Sequence, residues 1–125
     1  MRLFNREVFA EYMEGTGARI SSAELNNVLG TAEKLIVQIR VTKVTGTSPT
    51  LLVFLEHSND GKDWQSPVTL VEFTALNAGS INTIMADSGS TVFGALVRFV
   101  VALDGTNPSG FVEIFACGRA EELEA

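Results

Sequence analysis

From Lys34 to Val44 the side chains Leu35, Val37, Ile39 and Val41 alternate with Gln38, Arg40 and Thr42. A period of two lines one face of a pleated strand but scatters around a helix, so the segment predicts a half-buried β-strand. Related patterns fill most of the chain. Thr50–His57 has apolar residues on both parities, Leu51, Val53 and Leu55 against Leu52 and Phe54. That pattern suits a strand covered on both faces or set against a neighbour. Val68–Phe73 and Ser80–Met85 read as shorter strands, and Phe111–Cys117 as the last. In the long apolar stretch Thr91–Leu103, Phe93, Val97, Phe99 and Val101 share one parity and Arg98 falls on the other. No long amphipathic helix follows residue 20. Short strands at regular spacing predict an all-β fold, an antiparallel β-sandwich or jelly roll.

Between the strands the chain repeats itself. "VTKVTGTSPTLLVFLE" (41–56) is echoed by "VVALDGTNPSGFVEIF" (100–115), with Gly46-Thr47-Ser48-Pro49-Thr50 falling onto Gly105-Thr106-Asn107-Pro108-Ser109 at a constant offset of 59 residues. Glycine tolerates positive φ, and proline fixes φ where no ladder donor is needed. Each copy therefore predicts a tight reversal joining two strands of a β-hairpin. The two hairpins would lie in facing sheets, related by duplication or by chance reuse of a good turn. "SNDGKDW" is a further reversal, with Asp60-Gly61 as its turn signal.

The first twenty residues are patterned differently. Phe4, Val8 and Tyr12 are spaced at four, as are Phe9 and Met13, with Asn5 as a candidate cap and Gly15 as a candidate stop. This predicts a short N-terminal helix or an extended arm over 1–17, ahead of a sandwich domain over 18–120 and an acidic tail over 121–125. Phe4, Val8, Phe9 and Tyr12 are the candidate partner-binding residues of that arm.

At 125 residues the chain suits one domain with a real core. It is 46% hydrophobic and only 19% charged, which suggests that another subunit or partner covers part of its surface. The net charge of −6 and the scatter of nine basic residues argue against nucleic-acid binding. No run of 18 apolar residues is present to span a membrane, and the N-terminus does not read as a secretion signal.

Candidate chemistry is sparse. His57 is the only histidine and lacks the companions of a zinc site or a nucleophilic triad, so it reads as structural. No serine sits in a G-x-S-x-G elbow. Asp60 and Asp63 resemble part of a calcium loop but lack its closing glutamate. A hydrolase site around His57, Asp60 and Asp63 is the weakest alternative. Glu56, Glu72 and Glu113 lie within strands and are expected to face outward. Cys117, the only cysteine, reads as a buried inert thiol. Trp64 follows a turn, where an aromatic either plugs the end of a core or stacks on a sugar ring. No catalytic set, cofactor site or metal site is predicted, and the chain does not read as an enzyme.

The segment "VTKVTGTSPTLLVFLEHSNDGKDW" resembles one found in small β-sandwich virion proteins of tailed bacteriophages. The likeness rests on Val41-Thr42, "GTSPTL" at 46–51, Val53, Leu55-Glu56, Ser58, Asp60-Gly61 and Trp64. "VRFVVALDGTNPSGFVEI" (97–114) is similar to a second hairpin of the same proteins. The resemblance implies a head decoration or cement protein on the capsid surface, assembled in the host cytoplasm. Its partners would be the major capsid protein and copies of itself, as a trimer or dimer. A glycan-binding module of a tail, baseplate or surface, stacking sugars on Trp64 and Tyr12, is the alternative.

Overall fold

The alternating segments do form strands, yet the chain reverses less often than its glycines and prolines suggest. The structure, a computed structural model, describes residues 2–26, 34–89 and 93–119. Its strands are β1 (Arg2–Glu14), β2 (Ala18–Ser21), β3 (Leu25–Asn26), β4 (Lys34–Ser58), β5 (Gln65–Phe73), β6 (Asn82–Asp87) and β7 (Leu96–Arg119). Among the described residues there is no helix. The long strand expected from Thr91 starts at Leu96, and Thr91 and Val92 lie outside the described residues.

Both repeated motifs lie inside strands, which corrects the two predicted hairpins. β4 and β7 run antiparallel to one another from Lys34 opposite Arg119 to Ser58 opposite Leu96. Their register shifts only between Thr42 and Thr50, where the two motifs meet. Gly46 (φ 109°) and Ser48 (φ 51°) in β4 match Gly105 (φ 126°) and Asn107 (φ 49°) in β7. These residues bulge and bend each strand without reversing it. A Cβ on Gly46 would lie 2.7 Å from the Asn107 carbonyl oxygen and 2.8 Å from the Pro108 Cα. One on Gly105 would lie 2.9 Å from the Ser48 carbonyl oxygen and 3.0 Å from the Pro49 Cα. Each copy packs its glycine against the Ser/Asn-Pro of the other. An antiparallel crossing with approximate two-fold symmetry needs the same bulge in both strands, and so the same residues appear twice.

The bends divide the ladder into two half-sheets. In the first, β1 pairs with the second half of β7 and β6 with the first half of β4. In the second, β2 and β3 pair with the first half of β7 and β5 with the second half of β4. Their inner faces share one core. Phe9, Met13, Val37, Ile39, Val41 and Ile114 come from the first half-sheet, and Leu51, Val53, Leu55, Phe99, Val101 and Leu103 from the second. Burial of each such side chain contributes about 1.5–3 kcal/mol. The expected all-β antiparallel sandwich is the fold observed.

The N-terminal helix does not form. β1 pairs with β7 from Arg2 opposite Arg119 to Glu14 opposite Ser109. Phe9 and Met13 are buried in the core, Val8 packs against it half-buried, and Tyr12 is 52% exposed. A spacing of four keeps one side of a strand as well as one face of a helix, and the partner strand decides between them. Phe4 lies in β1 opposite Gly118, and its side chain is outside the described ones. The acidic tail 121–125 is also outside the described residues.

Candidate functional site

Alternation along β4 and β7 sends Leu52, Phe54 and Glu56, with Arg98, Val100 and Ala102, to the outer face of the second half-sheet. The register sets Leu52 opposite Ala102, Phe54 opposite Val100, and Glu56 opposite Arg98. β2 brings Arg19 beside Ala102, and β5 brings Glu72 beside Leu52. Glu56, expected to face outward, is on the outer face and is buried there at 8% exposure. Its neighbours cover it. The Arg98 Nε and Nη2 both lie 2.8 Å from its Oε1. On the other oxygen, Ser66 Oγ donates at 3.4 Å and Arg19 Nη2 lies at 3.8 Å.

Both guanidinium groups also lie over rings. Arg98 sits 4.0 Å above Trp64 and Arg19 sits 4.9 Å above Phe54. A guanidinium can stack on an aromatic face while its in-plane N–H groups bind a carboxylate. Trp64 is half-buried and donates its Nε1–H to the Gly61 carbonyl at 3.2 Å, so it lies on this outer face and not at the end of the core. The result is a fixed polar platform in which ring, cation and anion alternate.

Further along the same face is a cavity of about 260 Å³ lined by Gly17, Thr50, Leu52, Glu72, Ala102 and Asp104, among others. Leu52 and Ala102 give it an apolar floor, and Glu72 and Asp104 place acceptors at its edge. The four steps along the strand from Leu52 to Glu56 span about 13 Å, so cavity and platform lie along one elongated surface.

The other candidates serve the scaffold. His57 Nδ1 accepts the Gly94 N–H at 2.9 Å, and its ring meets Phe93 edge to face with centroids 6.3 Å apart. Asp60 closes the turn before Trp64. Its Oδ1 accepts from the backbone amides of Lys62 (2.8 Å) and Asp63 (3.0 Å) and from Ser58 Oγ (2.9 Å). The Asp63 amide, then the Lys62 amide, then the Ser58 hydroxyl hold its carboxyl at about 2, below the ordinary 3.8. A depressed pKa stabilises the fold above the ordinary value, and that contribution is lost as pH falls towards about 2. Urea midpoints taken at about pH 6 and about pH 2.5 should therefore converge in Asp60→Asn relative to the native chain. Equal acid sensitivity in both would remove Asp60 from the account.

The described residues contain no group of three or more His, Cys, Asp or Glu able to hold a metal ion. Cys117 is half-buried, not buried as expected, because it lies on the outer face of the first half-sheet opposite Ile36. Glu113 is half-buried opposite Arg40, and Glu72 is exposed.

No family model and no curated protein matches the sequence. Solved structures do match the fold. The CBM22-1 xylan-binding domain of Xyn10C from Paenibacillus barcinonensis aligns with a TM-score of 0.60 at 10% identity, covering 98% of this chain and 97% of that domain. The CBM22-1–GH10 modules of Clostridium thermocellum endo-1,4-β-D-xylanase 10B, complexed with xylohexaose, align with a TM-score of 0.57 at 8% identity. That match covers 97% of this chain and 27% of the other. The chain has the sandwich fold of these modules.

Sequence reasoning singled out Trp64 but missed the arginines on its face and the carboxylate between them. The available signal was Glu56 and Arg98, each the one charged residue of an apolar run, Thr50–His57 and Leu96–Leu103. Nothing local to Arg19 or Asp104 marks them, since separate strands bring them to this face.

Proposed function

We propose that the chain is a non-catalytic glycan-binding module, with its ligand lying along the outer face of the second half-sheet. The observation that carries this reading is the continuity of the cavity with the Arg19–Glu56–Arg98 platform. A sugar presents C–H faces to apolar floors and hydroxyls to fixed donors and acceptors. Leu52 and Ala102 supply the floor, Glu72 and Asp104 accept from hydroxyls, and the half-exposed Arg19 donates. Glu56 holds the Arg98 guanidinium in place, so little ordering entropy remains to be lost there on binding. The xylan-binding domain named above, sharing this sandwich, makes neutral β-linked plant polysaccharides the first ligands to try.

Titration calorimetry against xylo-, cello- and manno-oligosaccharides should give binding to at least one series. Glu72→Gln with Asp104→Asn should weaken it about tenfold or more while leaving the unfolding midpoint nearly unchanged. Folded native protein that binds nothing in the panel would count directly against the reading.

A second reading, a virion decoration protein bound to capsid and to copies of itself, draws on the sequence resemblance. It also draws on the exposed Tyr12, Phe115 and Met85 of the first half-sheet. Cosedimentation with expanded phage shells, absent in a Tyr12→Ser, Phe115→Ser variant, would favour it over the glycan reading.

A further inference from the structure

β6 is an open sheet edge that differs from the others. Among the described residues, no strand pairs with its far side. Sheet edges invite another strand unless charge, proline, a bulge or shortness blunts them. β1 carries Arg6, Glu7, Glu11 and Glu14 and a register shift between Glu7 and Phe9. β5 contains Pro67 and pairs with β4 through two register shifts. β2 and β3 are four and two residues long. β6 has no proline and no register shift, and a single charged residue at its end. Its ladder with β4 is regular from Ile36–Asp87 to Val41–Asn82. Its exposed apolar side chains are Met85 (65%) and Ile84 (37%), with Ile81 (62%) just ahead of it.

We propose that β6 pairs antiparallel with β6 of a second copy, joining the two first half-sheets into one continuous sheet. The strand's self-complementary pattern points to a second copy as the occupant, and charge permits the approach. Two chains each carrying −6 repel, and Thr74 to Ala86 is a stretch of this surface with no charged side chain. The one charged residue of β6, Asp87, lies at its end.

Backbone alternation sets the register. The Ser88 amide donates to the Leu35 carbonyl, so the even residues of β6 face β4 and Thr83, Met85 and Asp87 turn their backbone groups to the open edge. With the two-fold axis at Met85, Met85 faces its own copy, Thr83 faces Asp87 and Ile84 faces Ala86. Every outward group gains a partner, and no two like charges meet.

Sedimentation equilibrium should show a reversible dimer between about 1 and 500 μM, and Met85→Lys should raise its Kd at least about tenfold by setting two cations across the axis. In a Cys117→Ser background, Met85→Cys should form a covalent dimer on mild oxidation. Hydrogen-bonded antiparallel pairs place Cα atoms about 5.5 Å apart, within disulfide range. A native chain that stays monomeric over that range overturns the proposal. So does a dimer that Met85→Lys leaves unchanged, or folded Met85→Cys protein that fails to cross-link.

Discussion

A chain beginning at Ala18 is expected to lose its cooperative unfolding transition altogether. Such a truncation removes Phe9 and Met13, which are 5% and 1% exposed in the core, together with the whole β1–β7 ladder. Emptying two core positions of this size costs about 2–5 kcal/mol each, against a total stability of roughly 5–15 kcal/mol for an ordinary domain. The lost ladder also exposes the backbone edge of β7 from Ser109 to Arg119. Near-ultraviolet circular dichroism and a urea titration would register the loss. Tyr12→Ala, at an exposed position on the same strand, should leave both signals in place. If the shortened chain keeps a sharp transition, residues 1–17 are a dispensable arm and the account of β1 fails.

Period-two patterning was readable wherever the partner strand imposed nothing further. Leu35, Val37, Ile39 and Val41, and then Leu51, Val53 and Leu55, point inward as their spacing indicates. β1 hid its pattern because a bulge between Glu7 and Phe9 interrupts the alternation, and its remaining spacing of four fits helix and strand equally. The repeated motifs misled for another reason. Positive φ and proline are local signals, and they cannot reveal that the two bent segments, 59 residues apart, pack against each other while the Leu76 and Gly15 amides take up the Pro49 and Pro108 carbonyls. The site was less legible still. Glu56 does face outward, but its burial depends on Arg98 across the ladder and Arg19 from β2, and neither contact leaves a trace in the residues around Glu56.

The residues carrying the likeness to phage virion proteins have structural work in this chain. Gly46 and Pro49 form the strand crossing, Asp60 and Gly61 the turn, and Trp64 the ring beneath Arg98. Such residues report a fold more directly than they report a partner. Of the surfaces that would choose a partner, Glu56 and Trp64 of the platform and Thr50 of the cavity belong to those residues. Leu52, Glu72, Ala102 and Asp104 line the cavity on one half-sheet, and Ile84 and Met85 mark the open edge of the other. A glycan on the first and a second copy on the second do not compete for any residue. A dimer through β6 would therefore carry two glycan sites and gain avidity on a polymeric ligand, without a new contact to the sugar.

Gly46→Ala is expected to cost about 3–5 kcal/mol, far more than a strand glycine replaced elsewhere. The added Cβ meets the Asn107 carbonyl oxygen at 2.7 Å and the Pro108 Cα at 2.8 Å, both backbone atoms that no rotamer change can move. The φ of 109° adds strain that an L side chain meets outside the left-handed well. Gly105→Ala should behave in the same way, since its Cβ meets Ser48 and Pro49 in the mirrored contact. The decisive comparison is the pair. Both substitutions push the same two backbones apart at one crossing, so the shift forced by the first makes room for the second. The double variant should fall short of the summed losses by about 1 kcal/mol or more, whereas independent sites add to within about 0.5 kcal/mol. Urea midpoints for the native chain, both single variants and the double variant would decide it. Strict additivity would mean that the two motifs bend their strands separately, and that the repeat in the sequence does not arise from their contact.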